Sequence, residues 1–238
     1  MKKVLVLTFA LLTGAAFAES VNVFSCDFEA GEGFNLGSVY DQQGWYRNGE
    51  NFNFIFVTNN VSYSGAQCLC FTNTTKGVGI SHDISYVNPY SADVLFSYAF
   101  MPGTSFVRYQ LFDTEGKRIK KFAISNNGMT FDNPYSAPTF NIDPNDWYFV
   151  TIRLDVKNNV FKTFEISKDA AGDVISLQDI PFDTSSGASG NIGKLSFNKE
   201  WTDQQPAFID DISIDLVPEP AALGLLALAG LFLLRKRG

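Results

Sequence analysis

Trp147-Tyr148-Phe149-Val150-Thr151-Ile152-Arg153-Leu154-Asp155 is the stretch that decides the fold. Tyr148, Val150, Ile152 and Leu154 recur at every second position, the period of a pleated strand with one face buried. Lys157-Asn158-Asn159 is a turn, and Val160 to Ile166 runs back as a second strand. The same alternation extends outward along the chain. Ala92 to Phe100 places Val94, Phe96, Tyr98 and Phe100 on one face. Further strands are expected at Val21–Phe28, Phe52–Val57, Ala66–Phe71, Ser105–Phe112, Arg118–Ile124, Asn191–Phe197 and Phe208–Leu216. Asp113-Thr114-Glu115-Gly116 and Asn126-Asn127-Gly128 are turns between strands. No helical period, repeat or interior linker interrupts them. The expected fold class is all-β, a two-sheet antiparallel sandwich.

Composition agrees with one packed body. Hydrophobic residues are 45% and charged residues 18% of 238, an ordinary globular balance that excludes a disordered chain. A single histidine excludes most histidine-based metal sites. Three cysteines exclude a disulfide-dense scaffold and a four-cysteine zinc site.

The two ends read as addresses. Met1-Lys2-Lys3, the apolar run from Val4 to Leu12 and Ala16-Phe17-Ala18 have the three-part layout of a secretory signal peptide over residues 1–18, with cleavage expected after Ala18. At the other end stand Val217-Pro218-Glu219-Pro220, an apolar run from Ala221 to Leu234, and Arg235-Lys236-Arg237. As a helix that run is about 21 Å long, short of a ~30 Å hydrocarbon core, but it holds no acidic residue and a cationic cluster follows it at once. Cations are retained on the cytoplasmic side, which would leave the body outside. The expected organisation is therefore a body over residues 19–217 and a membrane-directed segment over 218–238.

The triplet Pro218, Glu219, Pro220, the Leu/Ala/Gly-rich run and the basic cluster Arg235, Lys236, Arg237 resemble the PEP-CTERM sorting signal of Gram-negative bacteria. The resemblance implies a transmembrane helix in the inner membrane, processing by an exosortase, and association with extracellular polysaccharide or the cell surface.

Without Lys2, Lys3 and the terminal basic cluster on one side and Glu219 on the other, 13 basic and 24 acidic residues remain, a formal charge of −11. An acidic body repels phosphate backbones, so no nucleic-acid partner is expected.

A second resemblance covers the body. Asp27-Phe28-Glu29-Ala30-Gly31 with Trp45, the hairpin after Trp147, and Phe208-Ile209-Asp210-Asp211-Ile212-Ser213-Ile214 resemble the first, central and last strands of concanavalin A-like and laminin G-like jelly rolls. Such folds host lectins, hydrolases, lyases and structural modules. Simple alternation puts Asp210 on a face with Phe208, Ile212 and Ile214, where an ionised carboxylate is costly unless paired or metal-bound. The resemblance implies a structural Ca²⁺ there, with Glu29 as a second ligand and Asp27 in reserve. The other reading is that Asp210 caps backbone N–H groups.

Sugar rings stack on exposed aromatic side chains. The candidates are Trp45 and Tyr46, in an expected loop after the first strand, and Trp201, in a loop before the last. Trp147, opening a strand, reads as core. The Glu-x-Asp-x-x-Glu strand of sandwich glucanases is absent, His82 stands alone as a surface histidine, and no nucleophile elbow occurs. No catalytic residue is expected. The leading function is non-catalytic polysaccharide binding; a purely structural matrix protein and a carbohydrate-active enzyme are the alternatives. Cys26 could pair with Cys68 or Cys70; otherwise all three are small buried apolar groups.

Overall fold

The hairpin that decides the fold lies one strand in from the edge of a sheet, as β12 (Val160–Ser167) next to β11 (Tyr148–Asp155). Tyr148, Val150, Ile152 and Leu154 are all buried, as their spacing requires. The computed structural model describes residues 20–48, 54–72, 78–87, 92–104, 106–131, 139–158, 160–168, 173–181, 192–199 and 205–218. The expected signal peptide (1–18), Trp201, Glu219, Pro220, the helix from Ala221 and Arg235, Lys236 and Arg237 lie outside the described residues. Among the described residues, no helix is long and apolar enough to cross a membrane.

The remaining strands are β1 (Val21–Cys26), β2 (Gly37–Ser38), β3 (Trp45–Arg47), β4 (Ile55–Thr58), β5 (Cys68–Phe71), β6 (Val78–Val87), β7 (Ala92–Met101), β8 (Val107–Asp113), β9 (Arg118–Ser125) and β10 (Gly128–Phe131), then β13 (Asp173–Pro181), β14 (Ile192–Lys199) and β15 (Ala207–Pro218). One 3₁₀ turn, Ala30–Glu32, follows β1. All strand pairs are antiparallel. One sheet runs β13-β12-β11-β7-β15-β5-β4-β2, with β1 also paired to β15; the other runs β10-β9-β8-β14-β6-β3. The fold is all-β with two antiparallel sheets, as expected.

The core lies between the sheets and is strongly aromatic. Phe96, Tyr98, Phe100, Tyr109, Phe122, Phe161, Phe164 and Phe197 are essentially inaccessible. Tyr98 and Tyr109 stack across the two sheets at 4.6 Å. Several strand pairs carry register shifts, and the one in β15 bears on the site. β15 carries a bulge, with the register shifting between Asp210 and Ser213 and Asp211 at φ 47°. An extra residue flips the side chains that follow it. Ile209 and Ile212 therefore both point inward, and Asp210 points to the outer face. The expectation that Asp210 shares a face with Ile212 and Ile214 is corrected by this bulge.

Trp45 also departs from its expected place. It opens β3 rather than sitting in a loop, points between the sheets and is 1% exposed. Its ring packs against Phe28 at 5.7 Å and Phe197 at 6.0 Å. It cannot offer a face to a sugar polymer. The cysteines are free and buried. Cys26 belongs to the core cluster, whereas the inward residues of β5 are Leu69 and Phe71. That parity puts Cys68 and Cys70 on the opposite face from Cys26, so no bond between them and Cys26 forms.

Candidate functional site

The outer face of the nine-stranded sheet carries aromatic side chains where water-facing strands usually carry polar ones. Because Tyr148 and Val150 point inward, Phe149 must point outward, and Trp147 follows the same parity. Phe208 reaches the same face from β15. Tyr63 comes from the connection between β4 and β5. Tyr63 lies 5.8 Å from Trp147 and 6.3 Å from Phe149, where the rings are stacked; Trp147 lies 6.4 Å from Phe208. Tyr63 is 37% exposed and the other three are half-buried. Together they form a platform of four rings, and Trp147 stands at this surface rather than in the core where the sequence put it.

Two carboxylates hold the loop that brings Tyr63 there. Asp210 Oδ2 accepts hydrogen bonds from the N–H groups of Tyr63 at 3.0 Å and Ser64 at 3.3 Å. Glu29 Oε1 accepts from Ala66 at 2.6 Å and Gln67 at 2.8 Å. Ser64 Oγ lies 2.6 Å from Asp211 Oδ1, and the Cys68 thiol donates to the Val61 carbonyl. Gly65 sits at φ +56°, and a Cβ there would meet Glu29 Oε1 at 2.2 Å. Asp210 is wholly buried, and burial together with the charge of Asp211 pushes its carboxyl up to about 7, despite the opposing backbone donors.

This donor set does not suit calcium, which takes oxygen ligands. The loop faces Glu29 and Asp210 with N–H groups. Asp27 Oδ1 is turned to the N–H of Glu29 at 3.2 Å. Among the described residues, no group of three or more His, Cys, Asp or Glu is placed to hold a metal ion. All three carboxylates the sequence offered to a metal accept backbone N–H groups here.

Tyr46 lies on the other sheet. It points outward from β3 and its hydroxyl donates to Asp83 Oδ1 at 2.6 Å. Burial and the Asp83 carboxylate raise its phenol. Beside it runs a ladder of amides and hydroxyls. Asn48 Nδ2 reaches Ser196 Oγ at 2.7 Å, and Asn198 Nδ2 reaches Gln110 Oε1 at 2.9 Å. Tyr46 and Trp45 thus point to opposite sides of one strand, and neither joins the platform. His82 is half-buried rather than a surface group, its ring 4.9 Å from Phe24 and 5.1 Å from Trp45.

No protein-family model matches the chain. No curated protein matches it either. Solved structures do. The CBM2 module (a carbohydrate-binding module) of the Lactobacillus casei BL23 phage J-1 evolved Dit is 16% identical; the match covers 85% of this chain and 98% of that one with a TM-score of 0.51. The cellulose induced protein Cip1 is also 16% identical, over 80% of this chain and 96% of that one, with a TM-score of 0.50. At this identity the likeness is one of fold.

Proposed function

We propose that this chain is an exported, non-catalytic carbohydrate-binding protein of the jelly-roll kind, carried to the cell surface or into extracellular polysaccharide. The observation that carries the reading is the platform of Tyr63, Trp147, Phe149 and Phe208. Pyranose rings present C–H faces that pack on aromatic rings, while their hydroxyls stay hydrated at the edge. The fold shared with a carbohydrate-binding module supports it. The buried carboxylates support a binding rather than a catalytic role. Asp210 caps a loop, and Asp93 is tied to Arg153 at 2.6 Å and Lys162 at 2.8 Å. Export by the N-terminal signal, membrane retention and exosortase processing at the Pro218-Glu219-Pro220 segment rest on the sequence of the two ends.

The test is retention of residues 19–218, which hold every described strand, in gels loaded with bacterial exopolysaccharides. Trp147→Ala and Tyr63→Ala should each weaken retention about tenfold, the equivalent of ~1.4 kcal/mol of lost stacking. EDTA should leave it unchanged. Absence of retention on every polysaccharide would favour the structural matrix role instead. Mass spectrometry of the surface-extracted protein should find an N-terminus at Glu19 and no residues from the basic tail.

A further inference from the structure

Where β1 of one sheet faces β3 and β6 of the other, the sandwich holds a cavity of about 200 Å³. Phe24, Phe34, Trp45 and His82 line it together with Glu32 and Gln43. It shares no residue with the platform. Phe24, Trp45 and His82 touch one another, with centroids 4.9 to 6.3 Å apart, so they form a continuous aromatic corner. Trp45 is fixed in that corner by packing against Phe28 at 5.7 Å and Phe197 at 6.0 Å. Glu32 and Gln43 are exposed and supply polar groups at the cavity's edge.

Two further features single out this place. His82 Nε2 lies 2.9 Å from the Gln43 carbonyl, so Nε2 carries the proton and Nδ1 is left as an acceptor. Nδ1 is buried without a hydrogen-bond partner. The turn that presents Gln43 is strained, with Asp41 at φ 65° and Gln43 at φ 46° ahead of Gly44 at φ 83°. Such conformations cost free energy and persist where the surroundings hold them, often beside bound ligands.

We propose that this cavity takes a single neutral pyranose unit, its C–H face against Phe24 and His82, the half-buried rings of the corner, and its hydroxyls on Glu32 and Gln43. The volume lies below the ~300–1,000 Å³ of drug-sized ligand sites, so it admits one ring and not a chain. A lining both aromatic and polar matches a molecule with an apolar face and a hydroxylated edge. The Glu32 carboxylate disfavours anionic sugars. The proposal rests on the reading of the chain as a sugar binder and adds recognition of a terminal unit to the platform's contact with polymer.

His82 is the single histidine of the chain, so its imidazole resonances report on this cavity alone. The full chain, histidine-labelled and held in mild detergent, is titrated with methyl glycosides of neutral pyranoses. At least one should shift the His82 signals saturably. Glu32→Gln keeps an acceptor for the Asp27 N–H, and Gln43→Gly relieves a positive φ; each should weaken the sugar about tenfold without lowering the unfolding midpoint. Trp147→Ala should leave the shift intact, so failure of the platform and failure of this site are separately visible. The proposal is overturned if no glycoside moves His82, if tetramethylammonium moves it and no glycoside does, or if both variants bind as the parent does.

Discussion

Asp210 shows how much a single side chain can organise. Its carboxyl, raised from 3.8 to about 7, has a consequence for stability. Between those two pH values the folded chain holds a proton that the unfolded chain has released. Unfolding therefore gives up a proton, and stability falls as pH rises through that window. Above about pH 7 the burden of a buried charge is fully present. Asp210→Asn removes this titration, so its urea midpoint should decline less than the parent's across that window; parallel curves for the two proteins would contradict the assignment. At this scale the sequence was readable by type and misread by direction. Trp147 was assigned to the core because large aromatics are commonly buried, yet the inward parity of Tyr148 and Val150 already sends it outward. Trp45 was assigned to a loop because no alternating run surrounds it. A three-residue edge strand offers too few positions for a period to show.

The connection between β4 and β5 is the element that turns these residues into a site. Its N–H groups at Tyr63, Ser64, Ala66 and Gln67 have no strand partner and are satisfied by Asp210 and Glu29. Gly65 allows the chain to bend between the two anchors. Gly65→Ala would place a methyl group into Glu29 and hold a left-handed conformation, at about 1–3 kcal/mol. The expected outcome is a lower urea midpoint by that amount and a loss of polysaccharide retention, with far-ultraviolet circular dichroism unchanged. Unaltered retention would detach the loop from the binding reading. Local pattern did reveal the long strands, because β7, β8 and β11 each keep a buried side chain at every second position over about seven residues. It did not reveal the bulge in β15. Ile212 and Ile214 keep a clean period of two, and only the pairing with β7 shows that one residue has been inserted ahead of them. β6 is hard to see in the sequence for a related reason. His82 and Asp83 read as polar surface, although Val78, Ile80, His82 and Ile84 follow strand spacing. The platform's fourth ring, Tyr63, left no local trace at all, since its position depends on carboxylates 34 and 147 residues away in sequence.

At the scale of the molecule, the last strand is the centre of its sheet. β15 pairs β7 on one side, and β5 and β1 on the other. Its pairing with β7 runs to Pro218, opposite Ala92, the first residue of the segment assigned to sorting. Ala207, Ile209, Ile212 and Ile214 are 0–1% exposed. Without β15, three strands lose a partner at once and their backbone groups are left unsatisfied. The strand made last is therefore the strand the rest waits for. Contacts between residues so distant in sequence place folding in the millisecond-to-second range typical of β-sandwiches. The dependence on β15 can be weighed with one residue. Ile209→Ala removes side-chain volume at the bulge's inner shoulder, where β15 meets both β5 and β7, and should cost about 2–5 kcal/mol. Against a typical total of ~5–15 kcal/mol, that brings the whole sandwich near its threshold. Unfolding should stay a single transition by fluorescence and circular dichroism, with its midpoint lowered throughout. Two separated transitions would mean that the sheets hold independently of β15, and that the last strand does not complete a common core.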